Sequence, residues 1–221
     1  MPRQRHPAGS AHFFHVINRS VRLGPIFARP SDYRAFLAVL DEGAERYAMR
    51  LMAYCILGNH WHLLLGPSDT AALSGFMRWV TSTHAGRWHH HRRTVGQGPV
   101  YQSRFHSVPI GSTAELVRTC RYVERNALTA GLVRRAQDWP WCSLAERLRP
   151  EPRVPVVSTV FLTSSAWIDY VNAAGSLREE LAETARERRD ERPTKTSDDV
   201  TEDPGGFSGS MQEGQRVTSL G

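Results

Sequence analysis

The chain has 221 residues, a formal net charge of +6 and 23% charged residues, enough for one sizeable domain with extensions and a proper core. No apolar run approaches the roughly 18 residues of a spanning helix, and Met1-Pro2-Arg3-Gln4-Arg5-His6-Pro7 lacks the apolar stretch of a secretion signal, so a soluble, cytoplasmic protein is expected. Cys55, Cys120 and Cys142 are too widely spaced for a paired-cysteine zinc site and are expected to be reduced and buried.

Charge is uneven along the chain. Residues 1–150 carry 20 Arg and no Lys against 9 Asp and Glu, whereas residues 151–221 carry 8 Lys and Arg against 13 Asp and Glu. An arginine-rich body suits a polyanion, because guanidinium binds phosphate as a planar fork and stacks on bases. A solvated basic surface would give the same composition.

In chain order, His12 to Val21 reads as a first strand, followed by a turn at Gly24-Pro25. Pro30-Ser31-Asp32 opens a helix with Tyr33, Phe36, Leu37, Leu40, Ala44 and Tyr47 at helical spacing. Met49 to Leu57 and Asn59 to Leu65 read as two strands joined at Gly58-Asn59. A second helix after Gly66-Pro67-Ser68 aligns Leu73, Phe76, Met77, Val80, His84 and Trp88. His89-His90-His91 with Arg92-Arg93 reads as its solvated end. Pro99 to Ile110 reads as a fourth strand. The order strand, helix, strand, strand, helix, strand predicts an α+β ferredoxin-like split β-α-β fold: an antiparallel sheet with helices on one face and the other face free for a site.

A third helix is expected next. Ser112 and Glu115 form a capping box and Gly131 supplies a C-terminal stop. Leu116, Cys120, Val123 and Ala127 fall on one side; Tyr122 and Asn126, one turn apart, point the same way on another.

In the third strand, His60-Trp61-His62 places two imidazoles side by side on one face, with Trp61 directed to the core. Two such histidines form half of a metal site, or else are half-buried strand residues alternating with apolar ones. His15-Val16-Ile17-Asn18-Arg19, Tyr54 to Leu65 with its His-Trp-His, Val100-Tyr101-Gln102-Ser103-Arg104-Phe105, Tyr122 to Val133 and Trp139-Pro140-Trp141-Cys142-Ser143 follow in order. Over about residues 10–148 this succession resembles the single-tyrosine HUH transposases, and within them the group associated with repetitive extragenic palindromes (REPs). Two departures are visible. Asn126-Ala127-Leu128-Thr129-Ala130 stands where the family commonly has Asn-Pro-Val-Arg-Ala, and Arg188-Arg189-Asp190-Glu191-Arg192-Pro193 replaces an expected Arg-Gly-Arg-Pro segment after Trp167 to Asn172.

The resemblance implies a metal-dependent transposase that nicks and rejoins single-stranded DNA beside a hairpin through a 5′-phosphotyrosine. Tyr122 would be the nucleophile, and His60, His62 and Asn126 would bind Mg²⁺ or Mn²⁺. A phenolate suits a reversible cut because it leaves more readily than an alkoxide. Nitrogen and amide-oxygen donors fit those ions and lack the thiolates of a closed zinc site. Arg19, Arg104, Arg118, Arg121 and Arg125 lie in or beside the matched blocks and are the candidate DNA contacts, although the last three equally suit an exposed helix surface. Tyr101, Phe105 and Trp79 are candidate platforms for an unpaired base.

The expected organisation is a transposase domain over residues 1–148, a helical extension over 149–192 and a disordered, Ser-, Thr- and Gly-rich tail over 193–221, acting as a monomer or homodimer with no membrane partner. Two other readings stand beside the strand transferase: a non-catalytic hairpin binder, and a metal-dependent phosphodiester hydrolase, which would usually want a carboxylate base near the metal.

Overall fold

A computed structural model describes residues 13–21, 24–157 and 160–174. The expected disordered tail and residues 175–192 of the extension lie outside the described residues. Strand β1 (Phe13–Arg19) leads to helix α1 (Pro30–Arg46), then β2 (Arg50–Ile56), β3 (His60–Gly66), α2 (Thr70–Arg92) and β4 (His106–Ile110). Beyond the sheet come α3 (Thr113–Thr129), a single 3₁₀ turn at Ala136–Asp138, α4 (Ser143–Arg147), α5 (Val160–Thr163) and α6 (Ser165–Asn172). The strands form one antiparallel sheet in the order β2-β3-β1-β4, the α+β ferredoxin-like arrangement.

Alternation along the strands separates two cores. Phe14, Val16, Tyr54, Trp61, Leu63 and Leu65 face α1 and α2, and Trp61 is fully buried there. His84 of α2 joins this core: its Nδ1 lies 2.7 Å from the Tyr101 hydroxyl, which also accepts from Trp61 Nε1 at 3.3 Å. Tyr101 is therefore a buried core residue, and its expected use as a base-stacking platform is withdrawn. The start of α1 is fixed by Asp32, whose Oδ2 accepts from the backbone N–H groups of Ala28 and Arg29 and from Arg92 at the end of α2, each at 3.0 Å.

The opposite face was expected to be free. Instead Ala53, Cys55 and Leu64 pack against Cys120, Val123 and Ala127 of α3 and against Cys142, Leu144 and Trp167, making three layers. All three cysteines are free thiols buried in this second core. The reason lies in α3 itself, whose apolar stripe is too wide to leave in water. Its N-terminus is capped as expected: Ser112 Oγ accepts from Glu115 N at 3.2 Å, and Glu115 Oε2 accepts from Gly111 N at 2.8 Å. Gly131 takes the left-handed conformation, φ 69°, just past its end.

Strand β4 is shorter than expected. Tyr101 bridges Ser20, while His106 pairs with Ile17, so the ladder slips by two residues between them and Ser103 to Phe105 bulge out. The outer edge of β2 is covered by Cys142 opposite Cys55 and by Val156 beside Leu51.

Candidate functional site

Register places the site. Residues directly opposite on neighbouring strands share a face, and β1 pairs Arg19 with His60, Ile17 with His62 and His15 with Leu64. His15, Arg19, His60 and His62 therefore stand on the α3 side of the sheet, with His106 of β4 opposite Ile17 on the same face. His15 and His62 are diagonal neighbours, and His15 Nε2 lies 3.1 Å from His62 Nδ1. His60 Nδ1 lies 2.7 Å from Asn59 Oδ1. An amide oxygen only accepts, so His60 carries its proton on Nδ1 and keeps a lone pair on Nε2.

Helix α3 brings Tyr122 onto these rings. Its ring meets His62 edge to face at a centroid distance of 5.5 Å and His15 at 5.6 Å. His60 and His62 are 5.2 Å apart by centroid. Asn126 stands one turn beyond Tyr122, half-buried, with Nδ2 donating to Tyr122 O at 3.0 Å. That bond turns the amide nitrogen onto the helix's own backbone and leaves Oδ1 as the donor atom for a cation.

Electrostatics favour neutral His60 and His62. Burial lowers the pKa of His60, with the Arg19 charge acting in the same direction. Burial pushes His62 well below its ordinary value, assisted by His15, His60 and Arg19. Neutral imidazole is the form that binds a metal ion. Among the described residues no three His, Cys, Asp or Glu side chains converge on one cation position. A third donor for a cation held by the two imidazoles would therefore not be one of those side chains, and Asn126 is the candidate the sequence offers.

The five candidate arginines separate. Arg19 is exposed beside His60, and Arg104 is exposed in the bulge before β4. Arg118 is half-buried on α3. Arg121 is 2% exposed: its Nε donates to Tyr170 O at 2.8 Å, its Nη2 to Ala173 O at 3.0 Å, and its guanidinium lies 4.5 Å from the centre of the Tyr170 ring. Arg125 Nη1 donates to Val171 O at 2.6 Å. Arg121 and Arg125 cap the C-terminal carbonyls of α6, where the helix dipole favours a cation. Arg121, so deeply buried, is corrected as a DNA contact on that ground, while half-buried Arg125 is turned to the same helix end.

His15 entered the sequence reading only as part of the first matched block and not as a site residue. No second histidine follows it at strand spacing, and only the register against β3 reveals its partner. Behind α3, buried Glu124 accepts from Ser143 Oγ at 2.6 Å and Trp167 Nε1 at 2.8 Å and pairs with Arg147. These bonds fix the helix that carries Tyr122.

A family model described as IS200-like transposase matches residues 10–126. Among solved structures, a REP-associated tyrosine transposase bound to a REP hairpin aligns with a TM-score of 0.52 at 16% identity, covering 72% of this chain and 93% of that one. A putative transposase from Deinococcus radiodurans R1 aligns with a TM-score of 0.39 at 18% identity, covering 56% and 96%. No curated protein sequence matches the chain. The first alignment speaks for the shared fold, and the family match spans the first strand through to Asn126, so this chain belongs to the IS200-like transposase family.

Proposed function

We propose that the protein is a single-stranded DNA strand transferase that nicks and rejoins DNA beside palindromic hairpins through a covalent bond to Tyr122. The observation that carries this reading is the packing of the Tyr122 ring against His62 and His15, three side chains from separate elements assembled on one sheet face. In the cut, Tyr122 Oη forms a bond to phosphorus while the bond from phosphorus to the 3′ oxygen breaks. The phenolic proton leaves to solvent, the departing oxygen takes one up, and the products are a 5′-phosphotyrosine and a free 3′-hydroxyl. Attack by a second 3′-hydroxyl reverses the step on a new strand and restores the phenol.

His60 and His62, through Nε2, and Asn126, through Oδ1, fit a divalent ion, Mg²⁺ or Mn²⁺. When bound, such an ion offsets charge on the non-bridging phosphate oxygens. Arg19, exposed beside His60, adds a fixed positive charge at the same place. Helix α3 lies over β2 and β3, while Arg19 and His106 are exposed and Ile17 and Val108 half-buried on the β1–β4 half of that face. That half, bordered by Arg104, is the proposed bed for the strand being cut. The REP hairpin bound by the structural relative supports a hairpin as the ligand class.

The test is incubation with end-labelled hairpin DNA and Mn²⁺, followed by denaturing electrophoresis. A protein–DNA adduct that requires metal and disappears in Tyr122→Phe is the expected result. Binding with no adduct in the unaltered protein would make it a hairpin binder, and cleavage persisting in Tyr122→Phe would make it a hydrolase.

A further inference from the structure

His15 Nε2 and His62 Nδ1, 3.1 Å apart, share one proton, and the side on which it sits decides what His62 can do. The rings are 5.3 Å apart by centroid with only 17° between their planes. Each nitrogen lies about 1.15 Å from its own ring centre, so centroids at that distance admit a nitrogen–nitrogen separation no shorter than about 3.0 Å. The observed contact is within about 0.1 Å of that limit. Both nitrogens therefore lie on the line joining the ring centres, and the rings meet head-on, nearly coplanar, in a straight N–H···N bond.

This geometry separates a hydrogen-bonded partner from a third metal ligand. Nitrogens converging on one cation at this separation would incline their ring axes and draw the centroids in to about 4.8 Å. The absence of a convergent His, Cys, Asp and Glu trio among the described residues points the same way.

We propose that His15 is a positioning residue that holds His62 in the tautomer with the proton on Nδ1 and the lone pair on Nε2. The proposal rests on the metal-site reading above. If His15 donated instead, His62 would be protonated on Nε2 and would have no nitrogen left for a cation. With His62 donating, His15 accepts at Nε2 and carries its own proton on Nδ1. Asn59 performs the same service for His60, but there the amide oxygen leaves no choice of direction. Each histidine of the pair thus has a dedicated orienting partner, one from the preceding residue and one from the neighbouring strand. His15 also borders the Tyr122 ring, so a single side chain sets both the ligand's tautomer and one wall of the nucleophile's seat.

The experiment reads the tautomer directly, in the full-length, metal-free protein labelled with ¹⁵N in its histidines. Two-bond ¹H–¹⁵N correlation spectra near pH 7.5 should show His62 protonated on Nδ1 and His15 as the acceptor at Nε2. Mn²⁺ titration followed by electron paramagnetic resonance then compares variants. His15→Leu should lose the tautomer preference and weaken Mn²⁺ binding 10- to 100-fold. His15→Gln, whose Oε1 can accept from Nδ1–H, should keep the tautomer and recover most of the affinity. An Nε2–H tautomer of His62 in the unaltered protein, or unchanged Mn²⁺ binding in His15→Leu, would overturn the role given to His15. Failure of the unaltered protein to bind Mn²⁺ would instead overturn the metal site on which it rests. The spectrum of the unaltered protein stands even if the leucine variant does not fold.

Discussion

Replacing Arg121 by Met distinguishes a structural arginine from a DNA contact. The substitution keeps an apolar stem and removes the guanidinium, which holds Tyr170 O at 2.8 Å and Ala173 O at 3.0 Å and stacks on the Tyr170 ring. Hydrogen bonds from a charged donor contribute about 1.5–3 kcal/mol each, and a stacked cation at a partly exposed ring adds about 0.5–1 kcal/mol. Water reaches the freed carbonyls at the helix end, with Tyr170 37% exposed, so a net loss of about 3 kcal/mol is expected. Urea unfolding measures it. Binding of a hairpin oligonucleotide between about 50 and 200 mM salt measures the other arm, because each lost phosphate contact reduces the slope of log affinity against log salt by a little under one. Arg121→Met should leave that slope unchanged. Arg19→Gln, at an exposed position, should lower the slope and leave stability within about 0.5 kcal/mol. A stable Arg121→Met protein with a reduced slope would refute the capping role and return Arg121 to the DNA surface.

Glu124→Ala strands the buried Arg147 guanidinium and removes the acceptor for Ser143 and Trp167, so thermal and urea unfolding should show a loss of about 3–5 kcal/mol, with Glu124→Gln milder. Acid should destabilise the fold through His84, whose pKa burial pushes down to about 3. The folded value lies below the ordinary 6.5, so the unfolded chain takes up the proton first; stability is complete above about pH 6.5 and falls as pH drops toward 3, by about 2 kcal/mol at pH 5. Urea midpoints at pH 7.5 and 5 should draw closer together in His84→Asn, and an unchanged gap would remove His84 from the account. Gly43→Ala would place a methyl 3.0 Å from Phe76 and 3.1 Å from Trp79 and Val80, where α1 and α2 touch. The gain of about 1 kcal/mol in helix propensity should therefore be outweighed by overpacking, for a lower melting temperature.

The sequence carried the local information and lacked the distant pairings. The capping box at Ser112, the period-two placement of His60 and His62 and the helical spacing of Tyr122 and Asn126 are all set within a few residues, and each is found in the structure. What α3 rests on was illegible, because its apolar stripe declares a buried face without naming the partner. Arg121 misled for a related reason: helical spacing assigns a side chain to a stripe, and only the docking of α6, 49 residues on at Tyr170, decides whether that stripe meets solvent or carbonyl oxygens. The bulge at Ser103 to Phe105 hid inside an alternating run, where a register slip of two residues leaves no mark on the pattern. His15 is the clearest case, a single histidine whose contact with His62 is created by the β1–β3 register.

Helix α3 divides its circumference among three tasks, and the division suits the nucleophilic role proposed for Tyr122. Residues advance about 100° each, so Cys120, Val123 and Ala127 form one stripe, Tyr122 and Asn126 a second, and Arg121, Glu124 and Arg125 a third. The first is buried against the sheet, and the third is bonded to α4 and α6 by groups that are charged and almost fully desolvated at Arg121 and Glu124. Only the second meets the histidine face. In the proposed mechanism the phenol attacks in line and later leaves, and it would gain from a fixed backbone, since misplacement by about 1 Å can cost on the order of 100-fold in rate. Polar anchoring behind α3 supplies that constraint more specifically than apolar packing alone, because Glu124 accepts three donors in one orientation and loses them if the helix rotates. On this view Glu124→Gln should slow Tyr122 adduct formation even under conditions where the protein remains fully folded, and equal adduct rates in the two proteins would show that α3 is held by its apolar stripe instead.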